Sequence, residues 1–136
     1  MIEVGAAAEI SLTVQSSDTA QALSISPQDT FPEVLATSRM IALMELAAAR
    51  AMKPLLQSGQ LSVGVTVNVK HTAATPVGCV VRAVATYLGP EGKAYRFKVA
   101  AFDEAGPIGE GEHTRAIIAT ERLLTGAERR RPQARN

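Results

Sequence analysis

The sequence predicts an α+β fold in which a five-stranded antiparallel sheet wraps around one long helix. Residues 31–52 are rich in Ala, Leu, Met and Glu, which favour a helix, whereas residues 8–14 and 61–69 alternate apolar with polar side chains, as strands do. From residue 76 onward, Pro and Gly recur at the spacing of β-hairpins. The predicted element order is therefore β-α-β-β-β-β, and a chain of 136 residues fits one domain.

The N-terminal half supplies the first strand, a long connection and the helix. Residues 8–14 have the period of two that is typical of a half-buried strand. Residues 16–30 are polar and aperiodic, so we expect a loop long enough to act as a lid, with a short extended piece at 20–25. The helix is predicted over 31–52, because one proline lies near its start and Pro54 follows its end.

The C-terminal half supplies four strands. The first, residues 61–69, alternates valines with polar residues. Turns containing Gly or Pro separate the other three, which are residues 79–88, 93–102 and 108–120. Hairpin connections make these strands antiparallel, and their apolar face has to be covered by the single helix, which is the hot-dog arrangement. A sheet this small leaves exposed edges, so we expect a homodimer or a dimer of dimers.

Charge limits the partners that the chain is expected to have. The formal net charge is +1 and most basic residues are spread along the chain, so no nucleic-acid-binding face is predicted. Residues 1–122 are predicted to form the hot-dog domain. Residues 123–136, which contain four arginines, are predicted to be a flexible basic tail, with contact to an anion as the alternative.

Composition also bears on the cellular location. The single cysteine, Cys79, cannot form an internal disulfide, and the N-terminus lacks the pattern of a signal peptide. No apolar stretch reaches the roughly 18 residues that a membrane span needs. We therefore expect a cytoplasmic protein with no membrane partner.

Glu45 is a charged residue in an apolar part of the helix. It is the only charged side chain between Met40 and Ala49. Burying a carboxylate is costly without a partner or a polar cavity, so Glu45 either pairs with a residue such as Arg50 or lines a functional site.

His71 and Thr37 each allow a structural and a catalytic interpretation. His71 continues the apolar phase of the strand at 61–69 and is either a core histidine or a group for proton transfer. Thr37 lies near the helix start, where a hydroxyl commonly caps backbone N–H groups. The same N–H groups and the helix dipole also favour a developing oxyanion, which suits acyl transfer.

Three other residues receive weaker assignments. Gly64 interrupts a valine-rich strand, which indicates a bulge or a close approach by another group. Cys79 is interpreted as a buried structural thiol, and His113 as a surface residue or one lying behind the site. Two isolated histidines and one cysteine have no metal-ligand spacing, so no metal site is expected.

Three segments together resemble the fluoroacetyl-CoA thioesterase family of hot-dog proteins. They are FPEVLAT at 31–37, LME at 43–45 and HTAATP at 71–76, and the similarity runs from about the first strand to about Glu121. The resemblance implies that Thr37, Glu45 and His71 are the catalytic set of an acyl-CoA thioesterase.

The resemblance also implies substrate-binding residues and an assembly. Gly64 matches a glycine associated with the acyl group, Phe31 matches part of a hydrophobic lid, and Arg115 matches a further family position. The family implies a dimer with two sites at the subunit interface, and no cofactor beyond the CoA of the substrate. Which subunit supplies each group is left open, as is the choice between Thr37, Glu45 and water as the attacking group.

Departures from the family pattern bear on the substrate and on the alternatives. The polar segment before Phe31, residues 26–30, and Leu46 stand where the name-giving member has bulky aromatics, so a general short- or medium-chain acyl-CoA is expected. A hot-dog enoyl-CoA hydratase is one alternative, but no Asp in the chain is followed five residues later by the His typical of those enzymes. A protein that binds acyl-CoA without cleaving it is the other.

Overall fold

The structure is a computed structural model that describes residues 2–133. Within that range, five strands and two α-helices follow the order β1-α1-β2-β3-β4-β5-α2, with three short 3-10 turns between some of them. Their bounds are β1 Ala7–Thr13, α1 Thr37–Met52, β2 Gln60–His71, β3 Val80–Glu91, β4 Ala94–Asp103, β5 Gly106–Ala119 and α2 Thr120–Arg129.

The strands form one antiparallel sheet in the order β1-β3-β4-β5-β2, and α1 packs on one face of it. The predicted hot-dog fold is confirmed: a five-stranded sheet curls around one long helix. Because β2 comes before the meander β3-β4-β5 but pairs with its last strand, it forms an edge of the sheet. That edge carries His71 at the C-terminal end of β2.

Helix α1 begins six residues later than predicted. Residues 31–36 are extended because their backbone groups bond to other segments: the Leu35 N–H donates to the Thr75 carbonyl at 2.9 Å, and the Val34 carbonyl accepts from Ala20 at 2.9 Å. These tertiary bonds override the local helix preference. The extended piece expected at 20–25 is also wrong, since residues 21–23 form a 3-10 turn. Thr37 is consequently the first residue of α1.

Small residues on the sheet let α1 approach β2 and β5 closely. A Cβ on Gly109 would lie 2.7 Å from the Sδ atom of Met40 and 2.6 Å from the Lys70 carbonyl oxygen, so only glycine fits there. Gly109 also pairs with His71 across the β2–β5 ladder. Since Met40 is one turn after Thr37, this close contact sets the helix start beside His71. The buried face of α1 comprises Met40, Leu43, Met44, Ala47, Ala48 and Met52.

Strand β2 contains a bulge that the sequence pattern did not resolve. Its register against β5 shifts between Gly64 and Thr66, which leaves Val65 as an extra residue. The bulge confirms the interpretation of Gly64 as a break in the strand. It also corrects the expectation of one buried valine face, because Val65 is 58% exposed and Val67 is 43% exposed.

The last strand ends at Ala119, and α2 follows it at once. The predicted flexible tail is therefore helical as far as Arg129, although its side chains are mostly exposed. Residues 134–136 of that tail lie outside the described residues. Within the described chain, neither helix is long and apolar enough to cross a membrane.

Candidate active site

Thr37 and His71 form a hydrogen-bonded pair at the start of α1. The Thr37 Oγ1 and His71 Nδ1 atoms are 2.7 Å apart. Ala36 is the N-cap residue, and the Thr37 hydroxyl is not engaged in capping the helix. The structural interpretation of Thr37 therefore fails, since its hydroxyl is committed to the imidazole. A hydroxyl within hydrogen-bond reach of an imidazole is the arrangement that activates an oxygen nucleophile.

The Thr37–His71 pair lies on the wall of a cavity of about 330 Å³. The other lining residues are mostly small or apolar. The chain before α1 contributes Ala20, Val34 and Leu35, and the chain after β2 contributes Thr72, Ala73 and Ala74. The second imidazole nitrogen of His71, Nε2, is buried and has no hydrogen-bond partner among the described residues. A titratable ring with an uncommitted nitrogen beside an apolar cavity has the chemistry expected of a general acid or base.

Glu45 lies two turns further along α1 and faces a different set of groups. One carboxylate oxygen is 3.5 Å from Nη1 of Arg115, and the Glu45 side chain is 40% exposed. The partner is thus Arg115 on β5, not the Arg50 that the structural interpretation suggested. The same oxygen lies directly over Gly64, where a Cβ would collide with it.

Arg115 is buried, with 7% of its surface exposed, and is held by several acceptors. Its Nε donates to the Ser62 hydroxyl at 3.0 Å, and its Nη2 donates to the Ser62 carbonyl at 2.9 Å. Its Nη1 lies 3.2 Å from Nε2 of His113 as well as facing Glu45. Burial lowers the pKa of Arg115, and the nearby Glu45 carboxylate opposes that shift.

The six candidate residues fall into two groups and one outlier. Thr37 pairs with His71, while Glu45 meets Arg115 and Gly64. Within residues 2–133 of one chain, no hydrogen bond or ion pair joins Glu45 to Thr37 or His71. Eight residues of helix separate Thr37 from Glu45, which is about 12 Å along the axis. The expectation that Glu45 meets His71 is therefore not fulfilled inside a single chain.

Phe31, the expected lid residue, is the outlier. Its side chain is 53% exposed and does not line the cavity at Thr37 and His71. Its backbone N–H donates to the Gln21 side chain at 3.2 Å, which ties the segment before α1 to the 3-10 turn. Leu23 and Ile25 are also exposed, at 51% and 96%. This segment thus presents apolar surface that nothing in the described chain covers.

Ser62 is a site residue that the sequence analysis missed, and His113 is one that it left as either a surface residue or a residue lying behind the site. His113 is 1% exposed, so it is not a surface residue and lies behind the Glu45 group. Its position could have been read from the two-residue spacing of Gly111, His113 and Arg115, which places them on one face of β5. Ser62 carries no local signal, because its role depends on the register of β2 against β5.

Other features lie away from these groups. Cys79 lies just before β3, is only partly buried and not fully buried as predicted, and is not part of either group. No three His, Cys, Asp or Glu side chains in the described range come together as metal ligands. A larger groove of about 820 Å³ lies on the outer face of the sheet, and none of the six candidate residues lines it.

Comparisons of the sequence with known proteins identify a family. The family model described as fluoroacetyl-CoA-specific thioesterase matches residues 14–121. A fluoroacetyl-CoA thioesterase from Streptantibioticus cattleyicolor is 42% identical over 102 residues, which are 75% of this chain and 73% of that protein.

Solved structures of two relatives are similar over nearly the whole chain. A structure of the fluoroacetyl-CoA thioesterase FlK superposes with a TM-score of 0.92 at 37% identity and covers 97% of this chain and 99% of that one. A thioesterase superfamily member from Thermus thermophilus superposes with a TM-score of 0.84 at 28% identity, covering 95% of this chain and 93% of that one.

Proposed function

The chain belongs to the fluoroacetyl-CoA-specific thioesterase family and is a thioester hydrolase; we propose that it cleaves short- or medium-chain acyl-CoA thioesters to the free acid and CoA. The observation that carries this proposal is the 2.7 Å contact between Thr37 and His71 on the wall of an apolar cavity. Thioester hydrolysis needs an activated oxygen nucleophile and a place for an acyl chain, and these two features supply both.

In the proposed reaction, His71 is the general base. It takes a proton from the Thr37 hydroxyl, or from a water molecule that this hydroxyl holds, as the oxygen adds to the thioester carbonyl carbon. The C–S bond then breaks, and the proton on His71 passes to the departing thiolate to give free CoA. If Thr37 attacks directly, the acyl group is left as an ester on the Thr37 oxygen. A water molecule activated in the same way then releases it as the free acid.

The helix start favours the negative charge that develops on the carbonyl oxygen. The N–H groups of Thr37 and Ser38 have no acceptor further back in α1, because the helix begins at Thr37. Such groups, together with the helix dipole, stabilise an oxyanion, and a single well-placed donor is typically worth about 3–4 kcal/mol. The attacking oxygen and the oxyanion donors therefore come from the same turn of the chain.

We propose further that Glu45 reaches the Thr37–His71 pair from a second copy of the chain, in a homodimer. The exposed part of the edge strand β2 is the run 64–68, which includes the exposed Val65 and Val67. Two such edges gain hydrogen bonds and bury the valines when they pair antiparallel about a two-fold axis.

This pairing brings the two groups of site residues together. When the axis passes near Thr66, the middle of the exposed run, His71 of one copy lies opposite about Leu61 of the other. That position is three residues from Gly64, or about 10 Å, and Glu45 lies over Gly64. An axis one residue further along, at Val67, sets His71 opposite Val63, which is next to Gly64. With that pairing, each site would combine Thr37 and His71 of one subunit with Glu45 of the other.

The remaining features of the proposal concern the substrate and its setting. The exposed apolar residues Leu23, Ile25 and Phe31 would cover the acyl group or the pantetheine arm of CoA, with Phe31 as the lid. Gly64 and Arg115 would not touch the substrate, since both lie beneath the Glu45 carboxylate. They would act on the substrate only by holding Glu45 in place. We propose a cytoplasmic enzyme that needs no cofactor beyond the CoA of its substrate.

The test measures free thiol released from a panel of acyl-CoAs, from acetyl- and fluoroacetyl-CoA to octanoyl-CoA. Wild type, Glu45→Ala and His71→Ala are compared, and sedimentation in solution gives the mass of each. We expect a dimer that releases thiol, and a loss of at least about 100-fold in kcat for both variants. A dimer that binds acyl-CoA tightly without releasing thiol would refute hydrolysis in favour of binding, and water addition to enoyl-CoA would favour a hydratase.

A further inference from the structure

We propose that His113 is a positioning residue, whose Nε2 atom fixes the Arg115 guanidinium so that one N–H faces the Glu45 carboxylate. The imidazole is 1% exposed and touches neither the cavity at Thr37 nor solvent, so it acts only through Arg115. The consequence for catalysis rests on the proposed function, in which Glu45 takes part. The arrangement itself can be tested without any substrate.

The protonation state of His113 follows from its two partners. Nδ1 lies 2.8 Å from the Thr66 carbonyl oxygen, which can only accept, so Nδ1 carries the proton. Nε2 lies 3.2 Å from Nη1 of Arg115, which can only donate, so Nε2 presents its lone pair. Both contacts are satisfied by the neutral Nδ1–H form and by no other form of the ring.

Two charged groups of the described chain face His113. Arg115 lies beside it on β5, Glu45 faces it from α1, and the Thr66 carbonyl faces it from β2, while its cross-strand neighbour on β4 is the apolar Phe97. Burial lowers the pKa of His113, and Arg115 lowers it further, against the opposing effects of Thr66 and Glu45. The ring is therefore neutral at pH 7, and its acceptor is available to Arg115.

The hydrogen bonds of Arg115 show why this acceptor matters. The guanidinium has five N–H groups, of which one on Nε and one on Nη2 are committed to Ser62. On Nη1, one N–H is directed at His113, and the nitrogen lies 3.5 Å from a Glu45 carboxylate oxygen. Ser62 fixes the far side of the guanidinium, and His113 fixes the side next to Glu45. Without the His113 acceptor, an N–H of the buried Arg115 next to the carboxylate is left without its partner, which is costly in a buried group.

The local backbone is shaped around the same contact. A Cβ on Gly64 would lie 3.2 Å from Cε1 of His113 as well as colliding with Glu45, so the missing side chain lets the imidazole and the carboxylate share one space. The bulge after Gly64 also precedes Thr66, whose carbonyl accepts from His113. Gly64 and the bulge after it thus accommodate both His113 and Glu45.

The test compares His113→Gln with His113→Asn. The Gln amide reaches as far as Nε2 and can offer Arg115 an oxygen acceptor, whereas the Asn amide reaches only to Nδ1 and can serve only Thr66. Each variant loses one buried hydrogen bond, so comparable falls in Tm are expected. We expect Gln to keep kcat within about threefold of wild type, and Asn to lose about 10- to 100-fold in kcat with KM changed less than about twofold.

Equal losses of kcat in the two variants, in step with their losses of Tm, would overturn the proposal and leave His113 a packing residue. A second measurement needs no variant of His113. Long-range ¹⁵N–¹H NMR of the wild-type imidazoles at pH 7, with His71→Asn to assign them, should show His113 neutral and protonated only at Nδ1. A proton on Nε2 would overturn the proposal. Absence of thiol release by wild type would refute the proposed function, while this spectrum would still decide the state of His113.

Discussion

Replacing Gly64 by Ala separates the placement of Glu45 from the stability of the fold. The new methyl group would collide with the Glu45 carboxylate oxygen and lie 3.2 Å from Cε1 of His113. The carboxylate is the end of a flexible side chain that is 40% exposed, so it can move away towards solvent. To reach van der Waals separation it has to move by roughly 1 Å, and it then leaves Arg115.

The effect of this change on stability is small. A Gly→Ala change in a compatible backbone stabilises by about 0.4–1 kcal/mol, because it restricts the unfolded chain. The tight contact with His113 opposes that gain, since the imidazole is held by Thr66 and Arg115. We therefore expect the free energy of unfolding in urea to change by less than about 1 kcal/mol.

The effect on catalysis is large by comparison. A displacement of about 1 Å in a catalytic group can reduce the rate by up to about 100-fold. We expect kcat for thiol release from acetyl-CoA to fall by about 10- to 100-fold in Gly64→Ala. Steady-state kinetics and urea unfolding on the same preparation measure both quantities.

Gly126→Ala is the matched control. It makes the same chemical change within α2, where a Cβ would meet no atom within 4 Å. It should leave kcat unchanged and stabilise α2 by up to about 1 kcal/mol. A Gly64→Ala enzyme with kcat within twofold of wild type and unchanged stability would refute the placement of Glu45 over Gly64.

Three further predictions concern other parts of the molecule. Gly109→Ala should lower the free energy of unfolding in urea by about 1–3 kcal/mol or more, because the new methyl group would press on the Lys70 carbonyl and on Met40. An unchanged free energy of unfolding would contradict the close packing of α1 on the sheet. Thr37→Ser should keep most of kcat while Thr37→Val loses about 100-fold or more, since only serine keeps the hydroxyl bonded to His71; equal losses would contradict that role. The Thr75 hydroxyl donates to the Asp103 carboxylate at 2.8 Å, and this bond is the main reason why the pKa of Asp103 lies below its ordinary 3.8. Thr75→Val should therefore be less stable than wild type at neutral pH, and the difference in stability should shrink as the pH falls through the lowered pKa. A difference that does not depend on pH would contradict this.

The fold could be predicted because its determinants are local. Alternation identified the strands, Gly and Pro identified the turns, and one apolar helix left a single way to cover the sheet. The start of α1 was placed too early because residues 31–36 have helix-compatible composition but are held extended by bonds to Thr75 and to the segment at 18–20. The helix α2 was missed because it is short and mostly polar, and none of its residues is buried.

The sequence singled out the candidate site residues but not the contacts that they make. Thr37, Glu45 and His71 stood out from the resemblance and from their apolar settings. The pairing of Glu45 with Arg115 depends on the register of β5 against β2 and on the bulge at Gly64, neither of which a single sequence specifies. In the proposed dimer, the distance of Glu45 from His71 depends in addition on how two chains meet, which is a property of an interface and not of one fold.

The most direct measurement uses dimers that carry two different lesions. One subunit with Thr37→Ala and one with Glu45→Ala, bearing different affinity tags, are co-expressed, and the mixed dimer is purified and assayed for thiol release. If each site combines Thr37 and His71 of one subunit with Glu45 of the other, one of the two sites in the mixed dimer is intact. We therefore predict about half of the wild-type kcat per dimer, while both parent dimers are inactive. A mixed dimer as inactive as its parents would contradict the shared site.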